Sequence, residues 1–368
     1  MPGPDSQNRS LQAGRQARGA RPVSEEQIRE PQSLVAVVVT YNRLDKLRAV
    51  LARLLESPQA ELQAVVVIDN ASTDGTGAWL AAQPDPRLVV MTSAENLGGA
   101  GGFETGMRLA SERFDPDWMV VMDDDARPAP GALAAFHAAD KTGCDAVAAA
   151  VYFPDGRICE MNRPSRNPFW HGGAFLGTLL RGRGGFHIAP DDYRGEGRWV
   201  DVASFVGLFV SRAAIGLAGY PDGRLFVYGE DGIFTLALSK AGGRIRFAPA
   251  IAFEHDCSTL QGGQFRPLWK VYYYHRNLLF LYRMAAGRLF WPALLMVLPK
   301  WLLKLCHHPG ERITFLRLLG RAVADGLRGR AHRPHGEVLA LAGAALPGDS
   351  PGGEPSGSES RGDSAPSG

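Results

Sequence analysis

Three adjacent carboxylates, Asp123-Asp124-Asp125, directly follow the apolar run at residues 118–122. At the end of a buried strand they repel one another unless a cation neutralises them. Oxygen donors suit Mg2+ or Mn2+ with positions left open for phosphate oxygens. A lone acidic triplet is more often a solvated turn, and the apolar run before it is what favours a site here. A second acid pair, Glu230-Asp231, precedes a helical pattern at Ile233, Phe234, Leu236, Ala237 and Leu238. It can cap that helix and meet its dipole, or supply a general base beside a metal. His255 stands between Glu254 and Asp256 after another short apolar stretch. A His flanked by acids at a strand end is a candidate third metal ligand.

These residues need elements to position them. Residues 34–39, 65–68, 88–91, 118–122 and 147–151 are apolar runs rich in β-branched residues, as buried strands of a mostly parallel sheet require. Helical patterns lie between them at 44–55, 102–113 and 131–141. This alternation predicts an α/β domain over residues 32–262. In such a sheet ligands sit at the carboxyl ends of the strands. The turns there are Thr40-Tyr41-Asn42-Arg43, then Asp69-Asn70-Ala71-Ser72-Thr73-Asp74-Gly75-Thr76, then Asn96-Leu97-Gly98-Gly99-Ala100-Gly101-Gly102, then the acidic triplet. The glycine run is neither G-x-G-x-x-G nor a P-loop. It can present backbone N–H groups to a phosphate or simply make a tight turn.

The chain has 368 residues, 45% hydrophobic, enough for one large domain with appendages. Four scattered cysteines without a CxxC pair argue against a disulfide framework or structural zinc and suit a reducing compartment. Residues 1–31 contain no apolar h-region and read as a disordered tail. Residues 331–368 read as mostly disordered, since 16 of the last 22 are Gly, Pro or Ser. The net charge of +2 hides an asymmetry. Residues 263–330 hold twelve Lys or Arg against Glu311 and Asp325, so they carry +10 and the remainder −8. The longest uncharged apolar run in that segment, residues 289–299, has 11 residues, short of the roughly 20 needed to cross a bilayer. Trp and Leu interleaved with cations fit a helical segment lying on an anionic membrane surface. A lid packed on the α/β domain fits as well. Nucleic acid would explain the charge but not the Leu and Trp.

Taken together these motifs resemble family 2 glycosyltransferases of the GT-A fold, over about residues 34–262. The resemblance rests on Val38-Val39-Thr40-Tyr41-Asn42-Arg43, on Asp69 to Thr76, on Asn96-Leu97-Gly98-Gly99, on Met122-Asp123-Asp124-Asp125 and on Gly229-Glu230-Asp231, in family order. Asn96 to Phe103 and Tyr272-Tyr273-Tyr274-His275-Arg276-Asn277 narrow it to bacterial galactofuranosyl- and rhamnosyltransferases of cell-envelope glycan synthesis. The resemblance implies inverting transfer from a nucleotide-diphosphate sugar, UDP-galactofuranose first and dTDP-rhamnose next, to a hydroxyl of a lipid-linked glycan. It implies Mn2+ or Mg2+ held by Asp123, Asp125 and His255, with Asp124 not excluded. It places Asp69 on the uracil or ribose, with Thr40 and Asn42 lining the base pocket and Tyr41, Arg43, Asn70, Asn96, Gly98 and Gly99 in the same nucleotide-sugar turns. Asp231 matches the catalytic base, with Glu230 as the alternative. Trp170, His171 and Trp199, aromatic or polar groups between the acidic motifs, suit an acceptor side that stacks on sugar faces; the aromatics fit a core equally well. A cytoplasmic enzyme peripheral to the inner membrane face follows, with a homo-oligomer open. A sugar nucleotidyltransferase is a rival reading, but it needs a basic glycine-rich loop where Thr40-Tyr41-Asn42-Arg43 stands. A non-catalytic membrane-bound scaffold of the same fold is another.

Overall fold

The computed structural model describes residues 32–257 and 264–344. From Leu34 the chain alternates strand and helix: β1 (Leu34–Thr40), α1 (Leu44–Leu55), β2 (Ala64–Asp69), α2 (Thr76–Ala81), β3 (Leu88–Thr92), α3 (Gly98–Phe114), β4 (Trp118–Asp123), β5 (Ala126–Pro128), α4 (Ala132–Ala138) and β6 (Ala146–Tyr152). There follow α5 (Gly172–Arg181), β7 (Arg198–Val200), β8 (Leu208–Ser211), α6 (Arg212–Ala218), α7 (Glu230–Lys240) and β9 (Ile245–His255). The C-terminal helices are α8 (Lys270–Ala286), α9 (Phe290–Leu303), α10 (Arg312–Leu327) and α11 (His335–Ala342).

The strands form one sheet in the order β3-β2-β1-β4-β8-β6-β9-β5, with β7 also paired to β9. All seven residues of β1 are buried, because both faces of the sheet are covered. Val35, Val37 and Val39 pack with Phe103 and Met107 of α3. Ala36 and Val38 pack with Leu47, Val50, Leu51 and Leu54 of α1 on the other face. The period of two along the strand sorts alternate side chains into two cores. Each fully buried Val or Leu contributes about 1.5–3 kcal/mol.

The α/β fold with a helical C-terminal segment is the one expected, but the sheet is less parallel than its strands suggest. β1, β2, β3 and β4 are mutually parallel, as are β6 and β9. β8 runs antiparallel between β4 and β6, and β5 and β7 run antiparallel to β9. An antiparallel neighbour needs no helical crossover, and a short apolar run gives no sign of its direction.

The glycine run is not a turn. Gly98 opens α3 at φ +70°, and a Cβ there would lie 2.1 Å from the Phe226 carbonyl oxygen. Ala100 N–H donates to that same oxygen at 3.0 Å. Gly102 and Gly106 let α3 settle on Val39 and Val37, where a Cβ would come to 2.4 and 2.5 Å. These glycines have a packing reason.

The C-terminal helices close a third core, in which Tyr272, Tyr273, Leu279, Phe315 and Leu318 gather with Phe226, Val227 and Tyr228. The helical run Lys270–His307, 38 residues, is long and apolar enough to cross a membrane by length and composition, so the 11-residue count above understates it. Gly287, at φ +51°, divides the run. α8 buries one side against the α/β domain, while α9 exposes Trp291, Leu295, Met296 and Leu303. α11 lies within the stretch read as a tail, and it buries Val338 and Leu339. Arg333 Nε and Tyr272 OH both donate at 2.9 Å to the buried Asp325, which ties this segment down.

Candidate active site

The acidic triplet sits where β4 ends, and the rest of the cluster is brought to it by sheet register. β5 pairs antiparallel with β9 so that Ala126 faces His255, which sets Asp125 beside the imidazole. His255 Nε2 lies 3.2 Å from Asp125 Oδ1. Donor atoms of Asp123, Asp125 and His255 all fall within 4.8 Å of one another. From β1, Thr40 Oγ1 donates to Asp124 Oδ2 at 2.8 Å and Tyr41 N–H to the same oxygen at 3.4 Å. Arg43 Nη1 bridges Asp124 Oδ1 at 3.2 Å and Asp125 Oδ2 at 2.8 Å. Asp124 is thus occupied by β1 and Arg43, while Asp123 and Asp125 face His255.

The electrostatics agree with that division. Burial, reinforced by the charge of Asp125, pushes the Asp123 carboxyl up to about 7. Burial also raises Asp124, against the pull of Arg43. Burial acts the same way on Asp125, but the His255 hydrogen bond and the charges of His255 and Arg43 outweigh it and hold that carboxyl below its ordinary value. Three acids with one bridging guanidinium leave negative charge in excess, which a divalent cation would relieve. Two carboxylates and an imidazole are a donor set that Mn2+ or Mg2+ accepts.

The orientation of His255 is set by Asn162, a residue with no signal in the sequence. Asn162 lies in a 3-10 turn (Glu160–Asn162) and is buried. Its Nδ2 donates to Ser204 Oγ at 3.0 Å, which turns Oδ1 toward His255 Nδ1 at 2.8 Å. An amide oxygen only accepts, so Nδ1 carries a proton, and Nε2 carries one too where it donates to Asp125. Nε2 is left to face Asp125 and any cation. Cys159 Sγ also donates to Asn162 Oδ1, and Cys159, Cys257 and His255 make a second close group. Cysteines far apart in sequence meet here because β9 ends beside that turn.

Glu230 and Asp231 occupy the first turn of α7. Burial, then the charges of Asp231 and Asp123, raise Glu230 well above its ordinary value, so the two acidic motifs act on each other. Burial also raises Asp231, whose Oδ1 accepts from Gly232 N–H at 2.6 Å. A Cβ on Gly99 would stand 3.4 Å from Glu230 Oε1. Glu230 Oε2 is buried without a partner.

The turns after β1, β2 and β3 meet as expected. Asp69 Oδ1 accepts from Ser72 N–H at 3.0 Å, while its Oδ2 is buried and unpartnered. Asn70 Nδ2 donates to the Gly98 carbonyl at 3.0 Å, and Asn96 Oδ1 accepts from Gly98 N–H at 2.8 Å. Asn42, at φ +51°, accepts from Thr73 N–H through Oδ1 at 2.6 Å. These turns border a cleft of about 850 Å3, lined by Tyr41, Thr73, Asn96, Glu104, Arg224 and His335 among others. Tyr41 joins this cleft to the acidic triplet. Sequence reasoning missed the cleft's far wall, which comes from the presumed tail. There the His335 ring stacks on Phe226 with centroids 4.3 Å apart.

Among the described hydrogen bonds and pockets, none joins Trp170, His171 or Trp199 to the acidic motifs. Trp199 pairs with Arg246 near the start of β9, nine residues from His255, about 20 Å along the strand once its bulge between Ala248 and Ala252 is counted. The Arg244 guanidinium covers its ring at 3.9 Å. His171 Nε2 pairs with Asp201 at 2.7 Å, and both line a separate pocket of about 550 Å3 with Trp199. Trp170 is partly exposed beside them in sequence.

Residues 35–198 match the family described as Glycosyl transferase family 2. The chain is 28% identical over 240 residues to the galactofuranosyltransferase GlfT1 of Mycolicibacterium smegmatis, covering 63% of this chain and 73% of that one. It is 29% identical over 245 residues to the N-acetylglucosaminyl-diphospho-decaprenol L-rhamnosyltransferase of Mycobacterium tuberculosis, covering 60% and 75%. Among solved structures, the mannosyltransferase PcManGT of Pyrobaculum calidifontis is similar at a TM-score of 0.47 and 21% identity, covering 84% of this chain and 79% of that one. Residues 35–198 are a glycosyl transferase family 2 domain.

Proposed function

We propose that this chain moves a glycosyl group, with inversion, from a nucleotide-diphosphate sugar to a hydroxyl of a lipid-linked cell-envelope glycan. UDP-galactofuranose is the favoured donor and dTDP-rhamnose the next, following the relatives' names. The observation that carries this reading is one juxtaposition. Asp123, Asp125 and His255 meet within 4.8 Å at the edge where Glu230-Asp231 also arrives, and Tyr41 connects them to a cleft of nucleotide size.

Each residue then has a part. The unpartnered Asp69 Oδ2, buried among the nucleotide turns, offers an acceptor to a base or ribose hydroxyl. Asp123, Asp125 and His255 would hold Mn2+ or Mg2+. When bound, that ion offsets charge growing on the leaving diphosphate. Asp231 takes the proton of the acceptor hydroxyl as its oxygen attacks the anomeric carbon. Burial raises the proton affinity of this carboxylate, which suits the task. Arg43 fixes the triplet's geometry before any substrate arrives, so little reorganisation accompanies reaction.

α9 exposes leucines and a tryptophan, α5 exposes Leu176 and Leu180, and α10 exposes Ile313, with Arg288, Lys300 and Arg312 in or beside the same helices. Apolar side chains interleaved with cations support peripheral attachment to the cytoplasmic membrane face. Two experiments test the proposal. Hydrolysis of UDP- and dTDP-sugars should require Mn2+ or Mg2+, and the true donor should raise the unfolding temperature. Co-sedimentation should occur with anionic vesicles and weaken with neutral ones. Absence of both donor turnover and donor protection across the panel would overturn the catalytic reading.

A further inference from the structure

A third cavity, of about 370 Å3, lies between α5 and α9 and belongs to no part of the nucleotide cleft. Phe175 and Leu179 of α5 form one side, Met296 and Val297 of α9 the other, and Leu236 and Leu281 also line it. The charged residues in its lining are Arg166 and Lys300, both cations. An aromatic and leucine-lined space of this kind is poorly hydrated and gains by taking up branched hydrocarbon.

Its place in the fold ties it to the chemistry. Leu236 is five residues beyond Asp231 on α7, about 7.5 Å along the helix. The Cβ position of Gly232 lies 3.5 Å from Leu281 and 3.8 Å from Val202, and both of these line the cavity. The helices that wall it also expose Leu176, Leu180, Trp291 and Leu295. Toward the acids the charge turns positive. Lys304 Nζ stands 4.3 Å over the Tyr274 ring, and Tyr274 meets Tyr228 edge-on at 5.9 Å, two residues before Glu230. Lys300 lies in the cavity wall and Lys304 one helical turn further along the chain, on the side where Tyr274 meets the loop that leads to the acid pair.

We propose that this cavity seats the first isoprenoid units of a polyprenyl-diphosphate acceptor, with the diphosphate drawn toward Lys300 and Lys304 and the sugar hydroxyl presented to Asp231. The inference rests on the proposed function for what the acceptor's sugar end does there; the lipid site itself stands on the cavity. Branched methyls fill a wide aromatic-lined space, and an anionic head complements Lys300 in the cavity wall and Lys304 beside Tyr274.

The test uses the full chain and a farnesyl diphosphate bearing a photoreactive diazirine on its tail. Crosslinked peptides should come from α5 and α9. Ala293→Trp and Thr178→Trp fill the cavity from opposite walls. Each should cut labelling about tenfold, the effect of losing burial of two or so methylene groups, while metal-dependent hydrolysis of the donor and cooperative unfolding stay as in the parent. Two variants on different helices guard against one failing to fold. Labels mapping elsewhere, or undiminished in both variants, would overturn the proposal. So would equal labelling by a straight-chain fatty acid diazirine, or full competition by inorganic pyrophosphate alone. If the label maps to the cavity but no nucleotide sugar is turned over or protects the fold, the catalytic reading fails and the lipid site remains.

Discussion

Asn277 holds the backbone of Tyr228: its Nδ2 donates to the Tyr228 carbonyl at 2.7 Å, and to those of Leu225 and Val227 at 3.1 and 3.0 Å. Arg276 fixes this amide, donating from Nε to Asn277 Oδ1 at 2.8 Å and from a terminal nitrogen to the Leu225 carbonyl at 2.8 Å. The loop so gripped is strained, with Phe226 at φ +68° and Tyr228 at φ +70°. Bulky residues in that region cost about 1–3 kcal/mol each. The strained turn delivers Glu230 and Asp231 to the site, so Tyr272-Tyr273-Tyr274-His275-Arg276-Asn277 acts as the scaffold of the acid pair.

Asn277→Ala should therefore destabilise the protein by about 2–4 kcal/mol, because buried carbonyls lose their donor. Turnover should fall further than donor affinity, since Asp231 is misplaced while the nucleotide turns are not. Denaturant unfolding together with donor titration checks both parts.

Asp231→Asn should lower turnover by about 10²–10⁴-fold, the usual worth of a positioned base. Nucleotide-sugar binding, measured by calorimetry, should hardly change. A collapse of donor affinity would move Asp231 into the nucleotide or metal site and make Glu230 the better base.

Asp125→Ala should leave a folded protein with Mn2+ affinity and turnover both reduced about 10²-fold or more. Near-normal turnover would reduce the acidic triplet to a structural feature that anchors Arg43.

Asn162→Ala frees the His255 ring to rotate and to change tautomer. Mn2+ affinity should drop about 10–100-fold, with kcat recovering at saturating Mn2+. Asn162→Asp keeps the acceptor at Nδ1 and should restore much of the affinity. Metal titration by calorimetry separates this from simple unfolding, which would lower kcat at every Mn2+ concentration.

Glu230 gives a stability signature with a defined sign. Its carboxyl is raised in the folded state by burial and by Asp231, so the native protein binds the proton more tightly than the unfolded chain. The associated stability is fully present below the ordinary value of 4.5 and is lost as pH rises through the folded-state value. Glu230→Gln should be more stable than the parent at pH 8 by about 1–2 kcal/mol and equal to it at pH 4. Denaturant midpoints at the two pH values measure the difference.

The sequence by itself determined the strand–helix alternation, the two-sided burial of β1, and the acids at the strand ends. Those signals are local: an unbroken Val run, a helical stripe from Leu44 to Leu55, and carboxylates directly after an apolar stretch are each set by a few neighbouring residues. Tertiary structure decided what depends on register and return path. Asp125 meets His255, 130 positions later, because Ala126 pairs with that residue across β5 and β9. Asn162 matters only because β9 ends against its turn, and its own neighbourhood in sequence carries no mark of it. Trp199 and His171 fit an acceptor side on composition, yet strand direction carries Trp199 to the far end of β9. α11 falls in a segment whose composition resembles a tail, and the cleft it helps close exists only once Asp325, Tyr272 and Arg333 have met. Hydrogen-bond partners such as Asp125 and His255, 130 residues apart, or Asn162 and His255, 93 apart, are chosen by packing of whole elements, which no local pattern encodes.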